Sequence, residues 1–460
     1  MEAVLQAQRT AASAHPAPTG TQRKADLDRL LKAMLLRQNQ AVQAVSHDFG
    51  CRSAQETLLT EIFTTASAVR YARAHVSQWM RPKRRGVPWI LQPGRAWLEP
   101  QPLGVVGIIS PWNFPINLAL IPLVAAIAAG NRVMLKPSEF TPATAEWLRE
   151  LLTAAFPQEQ VAVITGDAEV GREFSSLPFD HLLFTGSTAV GREIMKAASA
   201  NLTPVTLELG GKSPALIAPS AAMNEAASAI AYGKLTNAGQ ICIAPDYVLV
   251  PRTQMRPFVD AFCAAARGFY PEGTGCPEYT AIINERHHAR LQGYTDEARA
   301  RGVEVLEPLG TNAAGRKFAP VLLVDPPDDL HAMQEEIFGP VLPVKPYDTL
   351  DQAIAFINAR PRPLALYLFT RDRESQRQVL QRTISGSVAI NDTLTQFAVD
   401  SLPFGGVGAS GMGRYHGREG FETFSHMKPV YQPRWFNPAA LFRPPLNRLQ
   451  QRIGRFLIGS

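Results

Sequence analysis

Three short stretches put reactive side chains where they could do chemistry. GQICIAP sets Cys242 just past a glycine turn in apolar company. A thiolate is a strong nucleophile toward a carbonyl carbon. ELGGK places Glu208 ahead of two glycines, and a carboxylate can activate water. PWNFP holds Asn113 between two prolines that stiffen its loop, so its carboxamide N–H₂ could stabilise an oxyanion. Each has a plainer reading: Cys242 as a core thiol, Glu208 as a partnered acid, Asn113 as a turn residue. Their separation along the chain does not say whether they meet.

A second group of residues suits a dinucleotide. HLLFTGSTAVGREIM, residues 181 to 195, reads as a buried strand ending at Thr185, a turn at Gly186 and Ser187, and a helix. A helix N-terminus after such a turn offers free amides and a favourable dipole to phosphate. The Gly186 to Gly191 spacing is looser than the usual fingerprint, and an ordinary strand-to-helix turn is the alternative. MLKPSE, 134 to 139, places Lys136 and Glu139 at the carboxyl end of a parallel strand, the usual ligand edge. A carboxylate there can hold ribose hydroxyls and repel a 2′-phosphate, which leans toward NAD over NADP; a surface ion pair is the plainer reading. PFGGVGASGMG, 403 to 413, matches G-x-G-x-x-G at Gly406, Gly408 and Gly411. It lacks the preceding buried strand and the following helix that the fingerprint requires. Its glycines are expected to let backbone segments pack closely.

The elements that must position these residues follow from apolar periodicity. GVVGIIS, NRVMLKP, VAVITG and HLLFTG read as buried parallel strands separated by helices, a βαβ series. Residues 22 to 80 are helical in pattern. Near Thr206 a second αβ series begins, with PVTLELGGKSPALIA giving two short strands around a Gly-Gly turn. The expected fold is two doubly wound α/β domains plus a basic C-terminal extension. The uncharged run from Leu103 to Asn131 is long enough to span a membrane, but Pro111, Pro115, Pro122 and several glycines interrupt it. A strand, a turn and a buried helix fit better.

Composition sets the class. The 460 residues are 46% hydrophobic and 19% charged, ordinary for a globular chain with more than one domain. The four cysteines form no C-x-x-C pair and no metal spacing, which fits free thiols in a reducing compartment; no metal is expected and the cytoplasm is the expected location. The first sixteen residues carry an early acid and no apolar core, so no secretory signal is expected. The net charge of +6 is not gathered into a nucleic-acid motif. It lies partly in RPKRRG and partly in the tail, where no acid follows Glu422. There LNRLQQRIGRFL sets Leu446, Leu449, Ile453 and Phe456 at helical spacing between arginines. That stripe could lie on an anionic membrane surface; packing on the body or on a partner subunit is the reading favoured.

PWNFP, KPSE, FTGS, ELGGK, GQICIAP and EEIFGPV, in this order, resemble the aldehyde dehydrogenase superfamily over nearly the whole chain. GQICIAPDYVLV, RPLALYLFT and SGMGRYHG resemble its class 3 branch, and the segment from INDTLTQ to the FNPAALFRPP tail is similar to bacterial coniferyl aldehyde dehydrogenases. The resemblance implies Cys242 as nucleophile, Glu208 as general base for hydrolysis, and Asn113 with the Cys242 amide as oxyanion hole. It implies NAD, with NADP possible, held by Lys136 and Glu139 at the adenosine ribose and by Gly186 and Ser187 along the cofactor. Glu336 would hold the nicotinamide ribose beside Phe338, Trp112 would line the entrance, and Leu209 belongs to the same set. The implied reaction turns an apolar or aromatic aldehyde into its acid through a thiohemiacetal and a thioester. Phe114, Phe397, Phe404 and Tyr415 are candidates to wall the substrate tunnel. The implied domains are 1–80 with 103–207 for the cofactor, 208–395 for the thiol, 81–102 with 396–430 as a small β arm joining a homodimer, and 431–460 as a basic extension. A CoA-acylating relative would usually lack the glutamate of ELGGK, a semialdehyde dehydrogenase would share every motif, and fatty or medium-chain aldehydes would fit the same wall. A non-catalytic family member would tolerate loss of Cys242 or Glu208, both of which are present.

Overall fold

The computed structural model describes residues 1–310 and 315–458. The βαβ series builds a six-stranded sheet. Across it run Gly411–Met412, Val205–Glu208, His181–Thr185, Val105–Ile109, Arg132–Lys136 and Val161–Val163. All pairs are parallel except that of the two-residue edge strand. Val105–Ile109 is buried at every residue, as a strand covered by helices on both faces must be. From it the chain winds first through 132–136 and 161–163 on one side, then returns to 181–185 and 205–208 on the other. The reversal opens a crevice beyond the carboxyl ends of 105–109 and 181–185, where ligands bind in such sheets. PWNFP follows the first of these strands and Gly186–Ser187 the second.

The uncharged run resolves as expected. Asn117–Ala129 is a helix buried at all its positions, and Pro122 sits inside it. Gly130 ends it in the left-handed region. The second sheet has seven strands, ordered Glu304–Leu306, Val321–Val324, Val341–Tyr347, Tyr247–Pro251, Pro214–Ile217, Ala365–Phe369 and Ser387–Ile390. A third, of three strands, joins Lys83–Arg85, Arg95–Pro102 and Ser425–Gln432.

Several expectations are corrected. The strands flanking Gly210–Gly211 do not share a sheet: Val205–Glu208 closes the first and Pro214–Ile217 enters the second, so the glycines carry the chain between them. Residues 396–424 do not join the arm. Gly411–Met412 extends the first sheet against Glu208 and Leu207, and helix Gly417–Thr423 packs on helices Thr64–Trp79 and Asn117–Ala129. Of the segment after 395, Ser425–Gln432 is the strand that pairs with 95–102, across from Lys83–Arg85. An unforeseen helix, Glu2–Ala14, docks on the first sheet through Gln8, whose Nε2 donates to the Val133 carbonyl at 3.0 Å. Helix Arg448–Leu457 is capped by Asn447 and buries none of its residues, so the apolar stripe does not pack on the body of this chain. No helix among the described residues is long and apolar enough to cross a membrane.

Candidate active site

The Cys242 loop owes its shape to backbone that most side chains avoid. Asn237, Ala238 and Gly239 all have positive φ, 50°, 49° and 73°. Gly239 is required twice over, because a Cβ there would also lie 2.4 Å from the Gly339 carbonyl oxygen. The turn thus seats the thiol loop directly on the EEIFGPV segment. Asp246 fastens the two: its Oδ1 accepts from the Ile337 amide at 3.1 Å and its Oδ2 pairs with Lys212. On the other wall Asn113 is buried, and its Nδ2 donates to the Gln240 carbonyl at 3.0 Å. The second N–H of that amide is left for a ligand.

These elements enclose a cavity of about 240 Å³ in which Cys242, Glu208 and Asn113 converge. Trp112, Gly186, Ser187, Leu209, Glu336 and Phe338 line the same space. Nine of the eleven residues picked out in the sequence therefore meet here. Lys136 and Glu139 do not line the cavity; they pair at 2.9 Å at the neighbouring strand end, with the Lys136 side chain buried. Of the four aromatics considered as a tunnel wall, none lines the cavity. Phe397, Phe404 and Tyr415 pack edge to face in one cluster with His416, and the Phe114 ring lies 4.7 Å from the Arg52 guanidinium.

Sequence reading missed His287 and Arg290, which also line the cavity. They stand three apart on helix Glu285–Ala300, a spacing that puts both on one face, and ERHHARL carried that signal. The His287 ring lies 5.3 Å from that of Trp112. Burial, with Arg290 and Arg286 nearby, lowers its pKa to about 4, so it is neutral at physiological pH. Arg290 donates to the carbonyls of Glu336 and Ile337 at 3.2 and 2.8 Å.

Electrostatics separate the site's groups. Burial pushes the Cys242 thiol up, and the carboxylates of Glu336 and Glu208 push the same way. The amides of Cys242 itself and of Ile243 oppose this by donating toward the sulfur. Burial alone holds the Glu208 carboxyl well above its ordinary range, and neither of its oxygens has a partner. Glu336 is raised to about 8, again chiefly by burial, with the Gly211 amide, Lys212 and Arg290 working against it.

Orphaned buried acceptors beside an open turn suit a hydroxyl-rich ligand. Ser187 caps helix Thr188–Ser199 by accepting from the Val190 amide at 3.3 Å, and the helix N-terminus opens on the cavity, as phosphate binding requires. Gly191 lets that helix lie against Leu209, since a Cβ would sit 2.7 Å from Leu209 Cδ2. The glycines of 403–413 serve otherwise: a Cβ on Gly411 would lie 2.1 Å from the Leu207 carbonyl oxygen, and one on Gly406 2.0 Å from that of Ser410. They bring the loop's backbone against the strand that ends in Glu208.

The aldehyde dehydrogenase family model matches residues 1–430. The chain belongs to the aldehyde dehydrogenase family. It is an enzyme of that oxidoreductase family. A Pseudomonas aeruginosa relative named "Probable coniferyl aldehyde dehydrogenase" is 51% identical over 453 residues, 98% of this chain and 95% of the relative. The fold superposes on the substrate-bound state of Staphylococcus aureus AldH with a TM-score of 0.94 at 37% identity, covering 99% of both chains. An NAD⁺ complex of a Bacillus cereus aldehyde dehydrogenase matches with a TM-score of 0.84 at 28% identity, over 94% of this chain and 88% of that one.

Proposed function

We propose that the protein oxidises apolar and aromatic aldehydes of the coniferyl aldehyde type to carboxylic acids, using NAD(P). The observation that carries this is the meeting of a thiol, a partnerless buried carboxyl and a half-used carboxamide in one cavity. Glu336 and Phe338 would hold the nicotinamide half of the cofactor, Gly186 and Ser187 would lie along it, and Lys136 and Glu139, paired at the neighbouring strand end, would hold its adenosine ribose. When bound, the oxidised nicotinamide supplies the acceptor for a hydride.

Cys242 gives its proton up to solvent water, and its thiolate sulfur attacks the aldehyde carbon. The free N–H of Asn113 and the Cys242 amide hold the resulting alkoxide. Loss of the carbon-bound hydrogen with its electron pair leaves a thioester on Cys242. Glu208 takes a proton from water as the water oxygen adds to that carbon. The C–S bond breaks, the acid leaves and the thiolate is restored. Glu208 can serve because it is buried without a partner: no competing donor satisfies its oxygens.

Support for an uncharged substrate is the lining. Arg290 donates to the carbonyls of 336 and 337 and to the Tyr294 hydroxyl, and Trp112, Leu118, Leu209 and Phe338 give the cavity four large apolar side chains. The similarity to the Pseudomonas relative points to the same class. By family resemblance the three-stranded arm joins a homodimer working in the cytoplasm. The test is reduced-cofactor formation with coniferaldehyde, cinnamaldehyde, hexanal and succinic semialdehyde, each with NAD and NADP, against Cys242→Ala. Coniferaldehyde or hexanal should turn over and the variant should lose at least about 10⁴-fold; turnover of the semialdehyde alone would contradict the substrate class.

A further inference from the structure

Behind the cavity wall lies a buried ion cluster that no step above uses. Arg52 follows helix Gln38–Phe49, and its side chain is fully buried between the rings of Phe49 and Phe114, 5.0 and 4.7 Å from their centroids. Its Nη1 donates to Glu61 Oε1 at 3.0 Å and to the Asn113 carbonyl at 3.1 Å, while its Nε donates to Glu56 Oε1 at 3.2 Å. Each glutamate then grips a different wall. Glu61 Oε2 accepts the amides of Ile116 and Asn117 at 2.7 and 3.0 Å, fixing the chain just after PWNFP. Glu56 Oε2 accepts the amide of Asn237 at 3.0 Å, in the left-handed turn that leads to Cys242. The circuit closes through Asn237 Nδ2, which donates to the Asn113 carbonyl at 3.0 Å and to the Gln240 carbonyl at 3.2 Å. The Asn113 carboxamide bonds that same Gln240 carbonyl.

We infer that Arg52 is a positioning residue for the oxyanion hole: with Glu56, Glu61 and Asn237 it clamps the Asn113 loop to the Cys242 loop. This rests on the dehydrogenase reading of the site. The physical reason is that the two groups facing one developing alkoxide come from loops of different sheets, so their separation depends on the bonds that join the loops, and the Arg52 cluster holds the backbone on both sides of those bonds. A charged fork held between two rings is rigid and reaches three acceptors at once. Lysine can keep the charge but cannot reach Glu56, Glu61 and Asn113 together. The role is felt through Asn113, so its loss should not add to the loss of Asn113.

The experiment compares kcat and KM in wild type, Arg52→Lys, Asn113→Ala, the double variant and Asn237→Gly. Glycine accepts the left-handed backbone at 237, keeps the backbone amide that bonds Glu56 and removes the side-chain carboxamide. Asn113→Ala should cost about 10²- to 10³-fold in kcat. Arg52→Lys and Asn237→Gly should each cost at least about tenfold in kcat, with KM for the aldehyde within about twofold, since a small misplacement acts on the transition state. The double variant should fall within about twofold of Asn113→Ala alone. Multiplying losses in the double variant, or a folded Arg52→Lys with kcat near wild type, would overturn the inference. Should Arg52→Lys not fold, Asn237→Gly decides by the same kcat criterion. Amide hydrogen exchange over 110–117 and 236–243 should rise in whichever variant folds, and unchanged exchange there would also overturn the clamp. That readout needs no turnover, so an inactive wild type would count against the dehydrogenase reading and leave the clamp to be judged by exchange.

Discussion

Two carboxyls of the cavity, Glu208 and the half-buried Glu336, both carry a buried oxygen without a partner, yet their surroundings differ. Glu208 closes a strand of the first sheet, where burial alone raises its carboxyl and neither oxygen has a donor. Glu336 lies on the second domain's wall, with the Gly211 amide, Lys212 and Arg290 easing its ionisation to about 8. A group with no partner at all is suited to handling a proton from water. One with a partly polar setting is suited to accepting hydroxyl hydrogens from a bound ligand. Each depends on a glycine. Gly210 leaves room for Glu336, because a Cβ there would lie 2.1 Å from its oxygens. Gly411 lets the 403–413 loop lie flat against Glu208's strand.

The contrast can be broken from either side. Glu208→Gln removes the base and should lower steady-state kcat by about 10²- to 10⁴-fold while leaving one turnover's worth of reduced cofactor per site. A variant that cycled normally would refute the assignment. Glu336→Gln should act on the cofactor, raising KM for the dinucleotide by about tenfold with less effect on the burst. In wild type that KM should fall as pH rises through about 8, because the carboxyl must lose its proton to accept hydroxyl hydrogens. The fall should vanish in Glu336→Gln, and a pH-independent wild type would remove the role. Gly411→Ala should destabilise by about 2 kcal/mol from a positive φ and a backbone clash, read as a lower Tm. The smallest effect concerns the thiol. Glu336→Gln should speed iodoacetamide alkylation of Cys242 at pH 9 by about two- to fivefold, since a nearby negative charge raises the thiol. Slower alkylation would contradict that sign.

Much of this was legible in the chain because period and punctuation are local. VVGII, RVMLK and HLLFT announce buried parallel strands, and the turns after them mark the ligand crevice. The nine residues that meet in the cavity were identified because motif order, not spacing, carries the family resemblance. What was not legible is non-local. Nothing in ELGGKSPALI says that its two strands belong to different sheets. Nothing near Arg52 says that it reaches Asn113, 61 positions away. The i, i+3 spacing of His287 and Arg290 was legible in ERHHARL, but not that this face of the helix turns to the cavity rather than to solvent. The 403–413 loop was read correctly as close backbone packing, but its place against Glu208 rather than in the arm needed the sheet register.

The central claim is that Cys242 makes the covalent intermediate and Glu208 only releases it. Its most direct test is intact-mass and peptide analysis of Glu208→Gln after exposure to coniferaldehyde and NAD. The account predicts one acyl group per chain, on the peptide bearing Cys242, formed together with one equivalent of reduced cofactor. No adduct, or an adduct on Cys51, Cys263 or Cys276, would contradict it.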